Sequence, residues 1–465
     1  MNRAMLAAAL AASALFATEA LPSSRARYGG TLRAAVAGRP PEVDPALADS
    51  PWDATILSLT TSATCRLDEA RRIRPVLASE ISSQGPLKLR LALRPGLKFA
   101  NGAALSATDV VASWSRLAQP GSLSPYRALL FPLPGEGRRL SAAGSAQNLE
   151  LSLAFPWPDL AGSLCHPSLA IQPASGSSRR GIGPFKASSL PDEFEANLAF
   201  PLGRPFVDRL TVAFTDERGA ARLLSLRQAQ LAIGNAASPG APRPSPGLFS
   251  TYLAFQVDRA GADFRQAFEA TIDRDDLTRF FVPAPSWPMQ SLLPPALMAQ
   301  EPVARPAPPA QPSRRALTLM FDQSLPEQRL VAERLQVRLH DLKYAIALKP
   351  LSRAQLRAAW ASGNFDLMLQ AVLLPPFAGP ALAVALEIAG RHEMLAAELP
   401  PIGALPEDAD RQRAAVNRAR ALLPSLPLIP LYAQAVGAVV SDDLAAFALD
   451  GQGLPALDDA FLLPE

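Results

Sequence analysis

The run ALTLMF (Ala316 to Phe321), LPEQRLVAERLQVRLHDL (Leu325 to Leu342), KYAIALKP (Lys343 to Pro350), SRAQLRAAWASG (Ser352 to Gly363) and FDLMLQAVLL (Phe365 to Leu374) decides the fold class. Its hydrophobic period switches from two to near 3.6 and back, twice. The reading is β-α-β-α-β, the pattern of a parallel α/β unit, because parallel strands need a crossover and a helix supplies it.

Outward from that run the chain stays segmental. TLRAAVA (Thr31 to Ala37) reads as a strand, followed by the Pro-rich loop GRPPEVDPALADSP and a helical stretch from Trp52 to Leu67. LKLRLAL (Leu87 to Leu93) alternates, so its four leucines share one face of a half-buried strand. In LSATDVVASWSRL, Ser106 stands three residues before Asp109 and Val110, Val111, Trp114 and Leu117 recur at helical spacing, which predicts a capped helix. Further strands are expected at Leu149 to Phe155, Leu210 to Phe214 and Ser250 to Val257, and a last helix at Asp408 to Leu423. Asn235 to Gly247 and Pro302 to Arg315 are too rich in proline for helix or sheet interior and read as linkers or surface loops.

Composition narrows the class. The chain has 465 residues, 49% of them hydrophobic and 19% charged, with 47 Pro and 27 Gly, which is globular and long enough for more than one core. With 45 basic and 42 acidic residues the net charge is only +3, and nothing in that balance calls for nucleic acid or an anionic membrane. The opening MNRAMLAAALAASALFATEA has the layout of a secretory signal cleaved after Ala20, without a cysteine for lipid attachment. The mature chain is therefore expected in the periplasm, soluble and not lipid-anchored.

No catalytic motif stands out. Gly-x-Ser-x-Gly and the phosphate-binding Gly-rich loop with Lys-Ser or Lys-Thr are both missing, and His166, His340 and His392 show no paired metal-ligand spacing. His392-Glu393 reads as a solvated helix end, and Asp273, Asp275 and Asp276 as helix-capping carboxylates. The expectation is a protein that is not an enzyme and carries no cofactor or metal. Cys65 and Cys165 are an even pair in an exported chain, read equally well as one disulfide or as two buried thiols.

The stretches YGGTLRAAV, PEVDPA, IRPVLASEI and LRLALRPGLKFANGAALSATDVVASWSRL resemble the opening of the family 5 solute-binding proteins, the peptide and nickel receptors of ABC importers. The likeness continues through GIGPFK, FVDRLTVAFTDERGAARLLSLRQAQLAI, STYLAFQVD, FRQAFEATIDRDDL, the LLPP of Leu292 to Pro295, GNFDLML and PLIPLY.

What the resemblance implies is an α/β periplasmic binding protein of type II-like fold, two α/β lobes with a hinge plus an inserted third domain. Lobe I takes residues 28–50, 166–248 and 426–465, the insertion 51–165, and lobe II 249–425. Both cysteines then lie at the edges of the insertion, where a bridge would fit. The implied function is a periplasmic receptor that captures a peptide-like or other small solute between the lobes and delivers it to an inner-membrane ABC permease, acting as a monomer.

The alternative is a degenerate binding-protein fold that serves as an interaction or signalling partner. A deep interlobe pocket would favour the receptor, and a cleft filled by Pro and Leu side chains the alternative. Family peptide receptors carry an Arg, a Trp and an Asp after Phe-Asp; here those positions fall on Leu369, Val372 and Pro375. The implied ligand wall is thus apolar, from Leu369, Val372, Leu374 and Phe377, and the opposing wall comes from Glu42, Val43, Asp44, Trp52, Tyr252 and Phe255.

Overall fold

The computed structural model describes residues 26–38, 44–140, 146–173, 181–190, 192–234, 246–298, 306–307 and 315–464. The leader, Glu42, Val43 and most of both Pro-rich stretches lie outside the described residues.

The β-α-β-α-β run folds as its periodicity dictates. Strand Ala316–Asp322 lies between Ala345–Leu351 and Leu367–Leu373 and runs parallel to both. Helices Pro326–Asp341 and Arg353–Ala361 make the crossovers. The sheet is completed by antiparallel neighbours, Phe249–Phe255, Leu428–Gln434 and Ser286–Pro288. Alternation then sorts the side chains. Leu253, Phe255, Leu367 and Leu369 enter one core with Val331, Leu335 and Leu339 of the first crossover helix, whereas Tyr252, Ala254, Met368 and Val372 enter another on the opposite face.

A second six-stranded sheet orders its strands as Gly437–Val440, Leu231–Gly234, Thr31–Ala37, Arg209–Thr215, Glu193–Ala196 and Phe185–Ala187, with Thr31–Ala37 parallel to both of its neighbours. Its core holds Leu32, Val36, Phe185, Leu210 and Ile233, with Trp52, Ile56 and Leu59 packed onto it from helix Pro51–Thr60. A three-stranded antiparallel sheet, Ala78–Ser83, Lys88–Leu93 and Asn148–Ser152, stands apart from both and packs with helix Ala107–Leu117. Asp109 caps that helix as its spacing predicts, accepting from the Ser106 amide at 2.9 Å and hydroxyl at 2.7 Å. Asp273 likewise accepts from the amides of Asp275 and Asp276 at the start of its helix.

Two expectations need correcting. The helix from Trp52 ends at Thr60, and Cys65–Leu67 is a short strand paired with Ile73–Pro75, because the β-branched run Thr60-Thr61 and Thr64 favours extended backbone. The first lobe's tail does not start at 426. All seven residues of Leu428–Gln434 are buried as a strand between Phe249–Phe255 and Ser286–Pro288, so the tail returns to the sheet of Thr31–Ala37 after Gln434, through Ala435 and Val436.

Candidate functional site

The seam between the two sheet-bearing lobes is where a binding protein of this architecture would hold a solute. On the second-lobe side, the sheet face that carries Tyr252 and Val372 is covered by the insertion and by one helix of its own lobe. Helix Ala378–Ile388 is built from AGPALAVALEI, and all eleven of its residues are buried. It packs in one continuous apolar core with Tyr126, Leu129 and Leu130 of the turn Pro125–Leu130, with Trp157 and Leu160, and with Tyr252 and Val372 of the sheet. Small residues let these parts interlock. A Cβ at Gly379 would come within 3.0 Å of the Trp157 ring, and one at Gly162 within 2.6 Å of the Phe377 ring.

Polar contacts at the seam are made by charged and hydroxyl groups that satisfy one another. The Tyr126 hydroxyl donates to the Leu373 carbonyl at 3.0 Å, and the Tyr126 ring lies 4.4 Å from that of His166. His166 is fully enclosed, and burial holds its imidazole neutral, its pKa lowered to about 3. Arg353 gathers three carboxylates: Asp322 at 3.0 Å, Asp49 at 3.4 Å and Asp53 in direct contact. Arg357 adds a bond to Asp49 at 2.8 Å and contacts the Leu47 carbonyl. Burial pushes Asp53 up to about 6, against the pull of Arg353. A cavity of about 40 Å³ adjoins this cluster, room for a few waters at most. A much larger open concavity, about 1030 Å³, lies along the second six-stranded sheet beside Ala37, Glu217, Ala232 and Val439.

The residues expected to line a ligand site separate into several places. Leu369 and Phe255 point into the core under the crossover helices. Val372, Leu374 and Tyr252 point into the seam core, where the Tyr252 hydroxyl donates to the Leu292 carbonyl at 2.6 Å. Phe377 covers Gly162 and packs beside the cysteines. Trp52 is half-buried against both the core of the Thr31–Ala37 sheet and the cluster that holds Leu248, Phe249 and Leu373. Asp44 is held by Arg116 through two bonds of 2.7 and 2.9 Å; burial acts to raise its pKa, but the guanidinium outweighs it and the net shift is downward. Cys65 and Cys165 are joined, their Cα atoms 4.6 Å apart.

His392 also departs from its expected solvated position. Its ring lies between Glu387 at 2.6 Å and Glu136 at 3.1 Å. The cue in the sequence was Glu387, a single acid among ten apolar or small residues in one helix, which must find a cation if that helix is buried. Arg127 and His392 provide it. Among the described residues no group of three or more His, Cys, Asp or Glu is placed to hold a metal ion, and no helix is long and apolar enough to cross a membrane.

Comparison with known proteins agrees with this architecture. Residues 42–383 match the family described as bacterial extracellular solute-binding proteins, family 5 Middle. The murein tripeptide binding protein MppA of Escherichia coli is similar in structure at a TM-score of 0.76 and 17% identity, over 94% of this chain and 99% of that one. Haemophilus influenzae OppA in complex with the peptide RPPGFSPFR also reaches 0.76, at 14% identity over 93% and 99% of the two chains. The unliganded open form of MppA scores 0.61 at 18% identity, over 96% and 99%. In sequence, the uncharacterised protein YhjP of Bacillus subtilis (strain 168) is 29% identical over 161 residues, 34% of this chain and 27% of that protein's length.

Proposed function

Because this chain belongs to family 5 of the bacterial extracellular solute-binding proteins, we propose that it is the periplasmic receptor of an ABC importer, which takes a peptide-like or neutral, largely apolar solute between its lobes and delivers it to an inner-membrane permease. The observation that carries this reading is the pair of six-stranded sheets linked at Ala435 and Val436, an architecture in which a solute is enclosed by lobe closure.

The division that fits this reading gives the first lobe residues 28–50, 166–248 and the tail after Gln434, the insertion 51–165 and the second lobe 249–434. The protein acts as a monomer after export and cleavage behind Ala20. N-terminal sequencing of exported protein is expected to begin at Leu21; an intact residue 1 in the membrane fraction would contradict it.

The class of solute follows from where charge is missing. Of the positions where family peptide receptors carry polar anchors, Val372 and Pro375 offer no carboxylate and Leu369 is turned into the core under the crossover helices, while Asp44 is already committed to Arg116. A free ammonium enclosed there would be desolvated without a partner, at a cost of several kcal/mol. Blocked or neutral apolar solutes are therefore expected to raise the melting temperature more than free dipeptides or tripeptides. A thermal-shift screen in which only free-amino peptides stabilise, and in which Asp44→Ala abolishes the effect, would overturn the assignment. Native mass spectrometry of protein from its own host is expected to show a co-purifying solute of this class.

A further inference from the structure

A neutral imidazole has one N–H and one bare nitrogen, whereas both ring nitrogens of His392 face carboxylate oxygens. Nδ1 lies 2.6 Å from Glu387 and Nε2 lies 3.1 Å from Glu136. With a neutral ring, one lone pair would oppose an anionic oxygen at hydrogen-bond distance. Only the doubly protonated ring satisfies both contacts.

The contact joins the insertion to the second lobe. Glu387 and His392 belong to helix Ala378–Ile388 and the turn behind it, His392–Met394, while Glu136 sits in the turn Pro134–Gly137 of the segment carrying Tyr126 and Arg127. Glu136 holds a left-handed backbone, φ 58°, disfavoured for a residue other than glycine, and in it the carboxylate reaches His392. The remaining charges are accounted for. Arg127 bonds the other oxygen of Glu387 at 2.5 Å, Arg138 lies 3.4 Å from Glu136, Arg391 reaches only the exposed Glu393 at 3.9 Å, and the Phe131 ring stands edge-on to the imidazole.

We propose that His392 is a proton-operated clamp between the Pro134–Gly137 turn and helix Ala378–Ile388, holding the insertion against the second lobe here when the imidazole is charged and loosening that contact when the ring is neutral. The hydrogen bond to Glu387 raises the affinity of His392 for its proton above the ordinary value of 6.5, outweighing partial burial and the repulsion from Arg127. A raised value in the folded state gives a stabilisation that is complete below about 6.5 and is lost as pH rises through the folded-state value. The Arg127–Glu387 pair persists at alkaline pH, so the loosening is confined to the Glu136 side.

The test needs no ligand and is independent of any solute assignment. In a double-mutant cycle of His392→Gln and Glu136→Gln on the full chain, the coupling read from urea unfolding is expected to be about two- to fivefold in the folding constant at pH 5.5, the range of partly exposed ion pairs, and absent at pH 8.5. Glu136→Gln alone changes a part-exposed side chain and should fold; its difference from the parent is expected to vanish over the same rise in pH. Hydrogen exchange, corrected for intrinsic rates, is expected to quicken in residues 125–138 of the parent at pH 8.5 relative to pH 5.5 and to lose that dependence in both variants. Absent coupling at pH 5.5, or equal coupling at both pH values, would overturn the clamp.

Discussion

Replacing Arg353 by methionine is expected to destabilise the protein by about 3–5 kcal/mol near neutral pH, the cost of stripping the counter-charge from buried carboxylates. Arg353, at the start of the helix that follows Ala345–Leu351, meets Asp322 of its own lobe together with Asp49, just before helix Pro51–Thr60, and Asp53, in the first turn of that helix. Asp53 is 1% exposed and Asp322 is 4% exposed, so water cannot replace the guanidinium. The pH dependence identifies the cause. Burial already lifts Asp53 from 3.8 to about 6, with Arg353 opposing the rise. A carboxyl raised in the folded state stabilises below its unfolded value and forfeits that contribution as pH climbs through the folded one. Without Arg353 the forfeit deepens, so the loss in the variant should be greater at pH 7.5 than at pH 5. Urea unfolding at the two values measures it, and Asp53→Asn added to Arg353→Met should recover part of the neutral-pH loss. A loss below about 1 kcal/mol, or one indifferent to pH, would show the cluster to be solvated and of little weight.

The same cluster shows what could be read from sequence and what could not. Strand Thr31–Ala37, the crossover run from Ala316 and the cap at Ser106 were legible because the period of apolar residues and short-range capping chemistry fix them locally. The Asp53–Arg353 contact joins residues 300 positions apart, and no local rule relates them. Alternation in FDLMLQAVLL gave the strand but not the destination of each face. Leu369 and Val372 point to opposite cores, so residues expected along one wall were divided by the pleat itself. That Leu428–Gln434 joins the sheet of Phe249–Phe255 could not be read from sequence, because pairing partners are set by tertiary packing. Helix Ala378–Ile388 has no polar face to give it an amphipathic period; a helix apolar all round is a buried one, and its lone Glu387 is the residue that needs a partner.

Removing the bridge between Cys65 and Cys165 is the other change of large expected effect. The cysteines are 100 residues apart in sequence, and for a loop of that length the chain-entropy account gives about 4.7 kcal/mol, with 2–5 kcal/mol typical when native bridges are removed from small secreted domains. The loop contains the three-stranded sheet and helix Ala107–Leu117, so the constraint acts on a segment with much of its own core. Its two ends are anchored separately. Gln452 donates to the Cys165 carbonyl at 3.1 Å, and Cys65–Leu67 pairs with Ile73–Pro75. Breaking the bridge should therefore lower the midpoint of unfolding while leaving the folded structure near the seam intact. Cys65 and Cys165 are 2% and 3% exposed and packed with Leu67, Ile81 and Phe377, so reductant should act slowly on native protein and rapidly once denaturant opens this cluster. The paired variant Cys65→Ala with Cys165→Ala is expected to lose about 2–5 kcal/mol in urea unfolding, and thiol labelling of unreduced, denatured parent protein should find no reactive group. Two labelled thiols in that experiment would mean that the cysteines of the exported chain are buried and unpaired, and the paired variant should then lose only the packing of two small side chains.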